Sequence, residues 1–311
     1  MGLYAQAPPA GNPFIDHSDN GETVHILPTP ASIRSPRDTQ PTTAPPQKGT
    51  AVYPASYGSG NLIDHGGMEI GSAGFQAIYW NKSAASVQPQ ITAFVSAFAD
   101  SANWDNDATD DYTIVQQYGS STTPIANLLT SNTALVDTKS TVSRYQDSQI
   151  QSYLTGLFNS GTLAAKNNVI YGLYFPAGMT ICLQGGCSCS SFCGYHSHFS
   201  YGSGSTQIKY AVFPSPNCKG CSISGLKAAD MLTIVSSHEI REAVTDPGDF
   251  NTNAWYDSAG YEADDKCAWH NLYQITGGFW VQPEYSNGGP RTASGFTATY
   301  PAGCVVPNRT N

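Results

Sequence analysis

Charge is scarce in this sequence. Asp, Glu, Lys and Arg together supply 12% of its 311 residues, against roughly 25% in ordinary globular proteins. Positive charge is scarcer still, with 14 Lys and Arg against 23 Asp and Glu, for a formal net charge of −9. Such a surface repels phosphate backbones, which argues against a nucleic-acid partner. No run of 18 apolar residues occurs, so no segment reads as a membrane span. Met1 to Phe14 carry neither the basic nor the apolar stretch of an export leader, so export would require a leader removed from this sequence. The places left by charge are taken by Tyr (18), Gly (30), Pro (20), Ser, Thr and Asn. Solubility through hydroxyls and amides is the composition expected of a secreted protein, here expected as a monomer.

Cysteine is absent from the first 181 residues. The eight present are Cys182, Cys187, Cys189, Cys193, Cys218, Cys221, Cys267 and Cys304. In a reducing compartment such clusters would suggest zinc. Their uneven spacing and even number fit disulfides in an oxidising one better. The spacing leads us to expect Cys218–Cys221 and Cys267–Cys304, with two bridges among the other four. The sequons at Asn81-Lys82-Ser83 and Asn308-Arg309-Thr310 agree with export.

Residues 1–50 are rich in Pro, Thr, Ser and Gln and read as an extended arm or linker. Residues 51–311 read as a single domain. Within it, 74–81, 169–181 and 209–214 have the apolar character of strands. Residues 87–99 and 147–158 place apolar side chains at helical spacing. The clearest helix runs from Ser224, a candidate N-cap, to Thr245, where Pro247 ends it and displaces Asp246 from helical geometry. After residue 250 the chain reads as Gly- and aromatic-rich loops with short strands. The expected class is α/β or α+β: a zincin-like domain with a mixed sheet, a metal-binding helix and a disulfide-rich, loop-rich C-terminal part.

That helix carries His238-Glu239-Ile240-Arg241-Glu242. His238 and Glu242, four residues apart, share a face and can meet on one ion, while Glu239 is turned about 100° away. In the related HExxH helix the glutamate after the first histidine takes a proton from a metal-activated water. Alone, the pattern could be a charged solvent face. Here it follows the nearly apolar Met231 to Ser237 in a charge-poor chain. Glu262, 20 residues beyond Glu242, stands where zinc peptidases with a glutamate third ligand place that residue. Asp265 is the rival ligand or a carboxylate that orients His238. His196 and His198, read as lying on the Cys-rich loop, are further donors or, for His196, a catalytic stabiliser. One imidazole and two carboxylates suit zinc, and also manganese, iron or calcium.

The segment HEIREAVTDP, followed by Ala254-Trp255-Tyr256 and by Glu262 to Cys267, resembles the C-terminal signature of the phosphate-induced, or Exordium-like, proteins of plants and their bacterial and fungal relatives. His65-Gly66-Gly67 and Cys193-Gly194-Tyr195-His196 are similar to further elements, and the likeness covers roughly residues 60–305. It implies an extracellular, cell-wall-associated protein and supplies no substrate.

The leading functional expectation is a secreted metal-dependent endopeptidase, with Glu239 as general base. Two alternatives remain. One is a glycan-acting hydrolase using the carboxylates at 239, 242, 262 and 265, with Trp255, Trp269 and Trp280 as exposed stacking surfaces. The other is a non-catalytic wall- or glycan-binding protein with a structural ion.

Overall fold

The computed structural model describes residues 11–33, 41–44, 50–99, 111–204, 206–248, 254–293, 296–299 and 301–307. Its centre is an eight-stranded mixed sheet. In chain order the strands are β1 (Ile15–His17), β2 (Thr23–Pro28), β3 (Ala73–Tyr79), β4 (Leu129–Ser131), β5 (Leu135–Val136), β6 (Val169–Tyr174), β7 (Phe192–Tyr201) and β8 (Thr206–Phe213). They lie in the order β1-β2-β7-β8-β6-β3-β4, with β5 also on β3. The pairs from β1 to β8 are antiparallel, whereas β8-β6, β6-β3 and the β3 pairs with β4 and β5 are parallel. Every residue of β3 and β6 is buried, as expected of strands covered on both faces.

The helices are α1 (Gln88–Phe98), α2 (Asp147–Asn159) and α3 (Ala228–Thr245). Strand alternation puts α2 and α3 on opposite faces of the sheet. Tyr195 of β7 reaches Asp147 of α2, while its neighbour His196 reaches Glu239 of α3. The far side of α3 is closed by α1, the 3-10 segment Asp111–Tyr118 and the strand Phe279–Val281. The architecture is α+β with few helices, as the sequence led us to expect. No helix among the described residues is long and apolar enough to cross a membrane.

Residues 15–28 depart from the arm reading. They form β1 and β2, and Val24 to Leu27 are buried. The short apolar run Val24-His25-Ile26-Leu27 supplies a strand that β7 completes, and the Pro-rich sequence around it masks the signal. The remainder of 1–50 lies partly outside the described residues, as does Asn308. Asn81 is described, and its side-chain oxygen accepts from the backbone of Ser83 and Ala84.

All eight cysteines are paired, as in proteins of oxidising compartments. Cys267–Cys304 is as expected. Cys182–Cys187 falls among the other four, also as expected, whereas Cys189–Cys218 and Cys193–Cys221 replace the expected Cys218–Cys221 and the second bridge among the four. Cys218 and Cys221 flank a tight 3-10 turn pressed onto the neighbouring segment, so close that a Cβ on Gly220 would lie 1.8 Å from the Cys189 carbonyl oxygen. Each thiol therefore meets a partner across the gap. The two bridges staple the 189–193 segment to 218–221.

Helix α3 starts later than expected. Gly225 adopts φ +89°, which breaks the chain direction after Ser224. Lys227 is the N-cap residue, and its amide donates to Asp230 Oδ2 at 2.9 Å. At the other end the Asp246 amide still donates to the Glu242 carbonyl at 2.7 Å before Pro247 stops the helix.

Asp147 opens α2 fully buried, where the helix dipole favours an anion. Tyr195 donates to it at 2.6 Å, Tyr210 at 2.8 Å and Gln151 at 2.9 Å. Burial nevertheless dominates and raises its pKa from 3.8 to about 6, with the donors opposing. A raised carboxyl pKa in the folded state means that stability from this group is full below pH 3.8 and is lost as pH rises through about 6. Asp147→Asn should remove that dependence. Between pH 3 and pH 7 the native chain should lose up to about 3 kcal/mol more stability than the variant, read by urea denaturation across the range.

Candidate metal centre

The site is built on a helix with no exposed side. Every residue from Met231 to Thr245 is buried, so each polar side chain on α3 must be satisfied inside the protein. On the side facing the C-terminal part, Arg241 pairs with Asp264 and donates to the Gln282 carbonyl at 2.9 Å. Its Nε also reaches Asp264 Oδ2 at 3.1 Å, and Glu284 stands 3.8 Å away. This pair fixes the segment that carries Glu262, Asp264 and Asp265. Lys266 and the buried Asp257, 2.5 Å apart, hold its outer end.

His238 and Glu242 meet as the helical spacing predicts, with Nε2 2.9 Å from Oε2. Asp265 joins them, its Oδ1 3.7 Å from the same nitrogen, while its amide donates to Glu242 Oε1 at 2.9 Å. Asp265 is therefore on the ligating side of His238. The group at the opposite nitrogen is Gln282, whose Nε2 lies 2.9 Å from Nδ1. Gln282 Oε1 has no hydrogen-bond partner. Gln282 Nε2 also donates to the Asp264 carbonyl at 2.9 Å and to Asp264 Oδ1 at 3.1 Å, which holds the amide this way round, with Nδ1 of His238 as acceptor and Nε2 turned toward Glu242.

Glu262 lies elsewhere. It faces the sheet, where its carboxylate meets His25 of β2 at 2.7 Å and His196 of β7 at 3.7 Å. His196 is on a strand and not on the Cys-rich loop. Its Nδ1 lies 3.3 Å from Glu239 and 3.8 Å from Glu242, and its Nε2 lies 3.4 Å from the Asp246 carbonyl. It thus connects the helix to the sheet. His198, two residues further along β7, belongs to none of the groups at ligand distance. Those groups are His238, Glu242 and Asp265; His196, Glu239 and Glu242; and His25, His196 and Glu262. In each, the donor atoms lie within 4.8 Å of one another and every residue is buried.

Burial sets the electrostatics. It is the first cause of raised pKa values at Glu239, Asp246, Glu262 and Asp265, well above the usual carboxylate range, with neighbouring carboxylates adding to it. Asp264 is pushed up to about 7 by burial, against the pull of Arg241. His196 is driven well below its ordinary value by burial and then by His25 and His238, so it is a neutral imidazole. Neutral imidazole and carboxylate are the forms that bind metal. His238 Nε2, Glu239 Oε1, Asp246 Oδ2 and both oxygens of Glu262 are buried without a hydrogen-bond partner. A cation among them would answer several of these orphans together.

Sequence reasoning missed His25, Asp246 as a polar neighbour, Asp264 and Gln282. The signal for His25 was its place inside Thr-Val-His-Ile-Leu, where a polar residue interrupts a strand-forming run. Gln282 carries no such mark. Of the tryptophans assigned to stacking, Trp269 is buried at 2% exposure and donates to the Pro28 carbonyl, so it is a packing residue. Trp255 and Trp280 are half-buried. His65 of the His-Gly-Gly segment stacks on Tyr256 at 3.6 Å, beside the antiparallel pair Ile63–Asp64 and Trp255–Tyr256.

No protein family, curated protein or solved structure matches the chain. The case for a metal rests on the geometry above.

Gly194 sets how closely α3 approaches β7. A Cβ there would lie 2.3 Å from Val235 Cγ1 and 3.0 Å from Glu239 Oε1. Gly194→Ala should push the helix from the strand and cost about 1–3 kcal/mol, measurable by urea denaturation.

Proposed function

We propose that this chain is a secreted metal-dependent hydrolase of the HExxE type, with a divalent ion on His238, Glu242 and Asp265. The observation that carries the reading is the buried set of Glu239, Glu242, Asp246, Glu262, Asp264 and Asp265, of which Asp264 pairs with Arg241 while Glu239, Asp246 and Glu262 hold oxygens without hydrogen-bond partners. Uncompensated buried carboxylates are costly, and a divalent cation is the direct compensation. Zinc is the first choice for this donor set, with manganese, iron and calcium as competitors.

A bound ion supplies positive charge and Lewis acidity toward water. The chain supplies the rest. Glu242 Oε1 is anchored by the Asp265 amide, so Oε2 keeps a fixed direction. Glu239 is next to this set but outside it, with Oε1 free of hydrogen bonds and its proton affinity raised by burial. A carboxylate of that kind takes up a proton more readily than an exposed one, as a general base must. His196, neutral and 3.3 Å from Glu239 Oε2, has one N–H to give, and from Nδ1 it holds the base in position. The four disulfides and the resemblance to the extracellular Exordium-like proteins support export. A peptide substrate follows from the HExxE layout, and a cell-wall glycan is the competing substrate class.

A second reading is a protein with a purely structural ion. It is favoured by closure of the site, since His238, Glu242 and Asp265 are each at most 2% exposed. Metal analysis, chelation and one variant separate the two. For the hydrolase, purified protein carries stoichiometric metal, EDTA abolishes cleavage of a quenched-fluorescence peptide library, and Glu239→Gln keeps the metal while lowering kcat/KM by about 10²–10⁴-fold. For the structural ion, chelation lowers Tm and no cleavage exists to lose. Protein without metal would exclude both.

A further inference from the structure

We infer that the chain holds a second divalent cation, between β2, β7 and the 257–267 segment, on His25, His196 and Glu262, with Asp246 closing the set. The inference rests on the metal reading above but uses residues that reading does not require. His25 and His196 face each other across the antiparallel β2–β7 pair, so their side chains leave the sheet on the same side. Their rings stack at 5.2 Å with planes 22° apart. Glu262 spans both: Oε2 is 2.7 Å from His25 Nδ1 and Oε1 is 3.7 Å from His196 Nε2.

The second, independent observation is that Glu262 is fully buried and neither of its oxygens has a hydrogen bond of good geometry; its neighbours are His25 at 2.7 Å and the carboxyl of Asp246, which brings a second acid to the same place. Asp246 is also fully buried. Its Oδ1 is engaged by the Ala254 amide at 2.8 Å, and its Oδ2 has no hydrogen-bond partner. Two imidazoles with two carboxylates form a softer set than one imidazole with two carboxylates. They match tetrahedral zinc more closely than the His238 set does.

His196 presents its other nitrogen, Nδ1, to Glu239 and Glu242. The two positions are therefore neighbours, since His196 Nδ1 lies 3.8 Å from Glu242 of the first set. A pair of cations would offset the carboxylates on both sides of α3, which one ion on His238 does not reach.

The test is metal content of the full chain, loaded with zinc, dialysed free of excess and read by inductively coupled plasma mass spectrometry. His25 belongs only to the second set and His238 only to the first, so His25→Ala and His238→Ala report on separate positions. Circular dichroism checks that each variant is folded. His25→Gln and Glu262→Gln replace His25→Ala if it is not.

The expected result is two equivalents of zinc in the native chain and one in each variant. One equivalent that is kept in His25→Ala and lost in His238→Ala overturns the second site and leaves the proposed function standing. Two equivalents retained in His25→Ala also overturn it. One equivalent that is lost in His25→Ala and kept in His238→Ala does the reverse: the sheet-side site stands and the HExxE assignment falls. No bound zinc overturns both.

Discussion

The constraint behind most of this structure is the burial of a helix that is not apolar, complete from Met231 to Thr245. Helix α3 is enclosed by the sheet on one side and by α1, the 111–118 segment and the C-terminal strands on the other. An apolar helix in that position would need only shape complementarity. This one brings His238, Glu239, Arg241 and Glu242 into a place without water, and each requires a partner with matching charge or hydrogen-bonding capacity. Arg241 obtains Asp264 and the Gln282 carbonyl; the remaining groups obtain histidines from the sheet and carboxylates from the 262–265 segment.

The surroundings of α3 are organised to supply those partners at fixed positions. Gly194 lets the helix sit against β7, which brings Glu239 to His196. The short 3-10 turn Asp265–Cys267 aims the Asp265 amide at Glu242, and Cys267–Cys304 ties it to the last strand. Trp269, held at φ +64° with its indole on the Pro28 carbonyl, joins the end of that turn to the end of β2. The strand with His25 and the segment with Glu262 are thus locked to each other as well as to the helix.

The parts legible in the sequence were those written in local patterns. The spacing of His238 and Glu242 gave their contact, and Pro247 marked the helix end. The apolar runs read at 74–81 and 169–181 gave the central strands Ala73–Tyr79 and Val169–Tyr174, because a strand covered on both faces needs no alternation. What escaped was set by long-range packing. The pairing of Cys218 depends on which segment lies beside it. The division of labour between Glu262 and Asp265, three residues apart, depends on a turn that sends one carboxylate to the sheet and the other to the helix. Residues 15–28 looked like part of a Pro-rich arm because composition, averaged over fifty residues, hid a six-residue strand.

The position of β2 also fixes an order of assembly. It is among the first described segments to leave the ribosome, yet its sheet partner β7 begins 164 residues after Pro28 (192 − 28), and Glu262 follows 237 residues after His25 (262 − 25). Contacts of such separation close late, after the local helices and the parallel strand pairs between them. Before that closure His25 and Glu262 are separate groups far apart along the chain. Their part of the buried cluster comes into being only when β2 meets β7 and the 257–267 segment, so whatever is held there also ties those segments of the fold together.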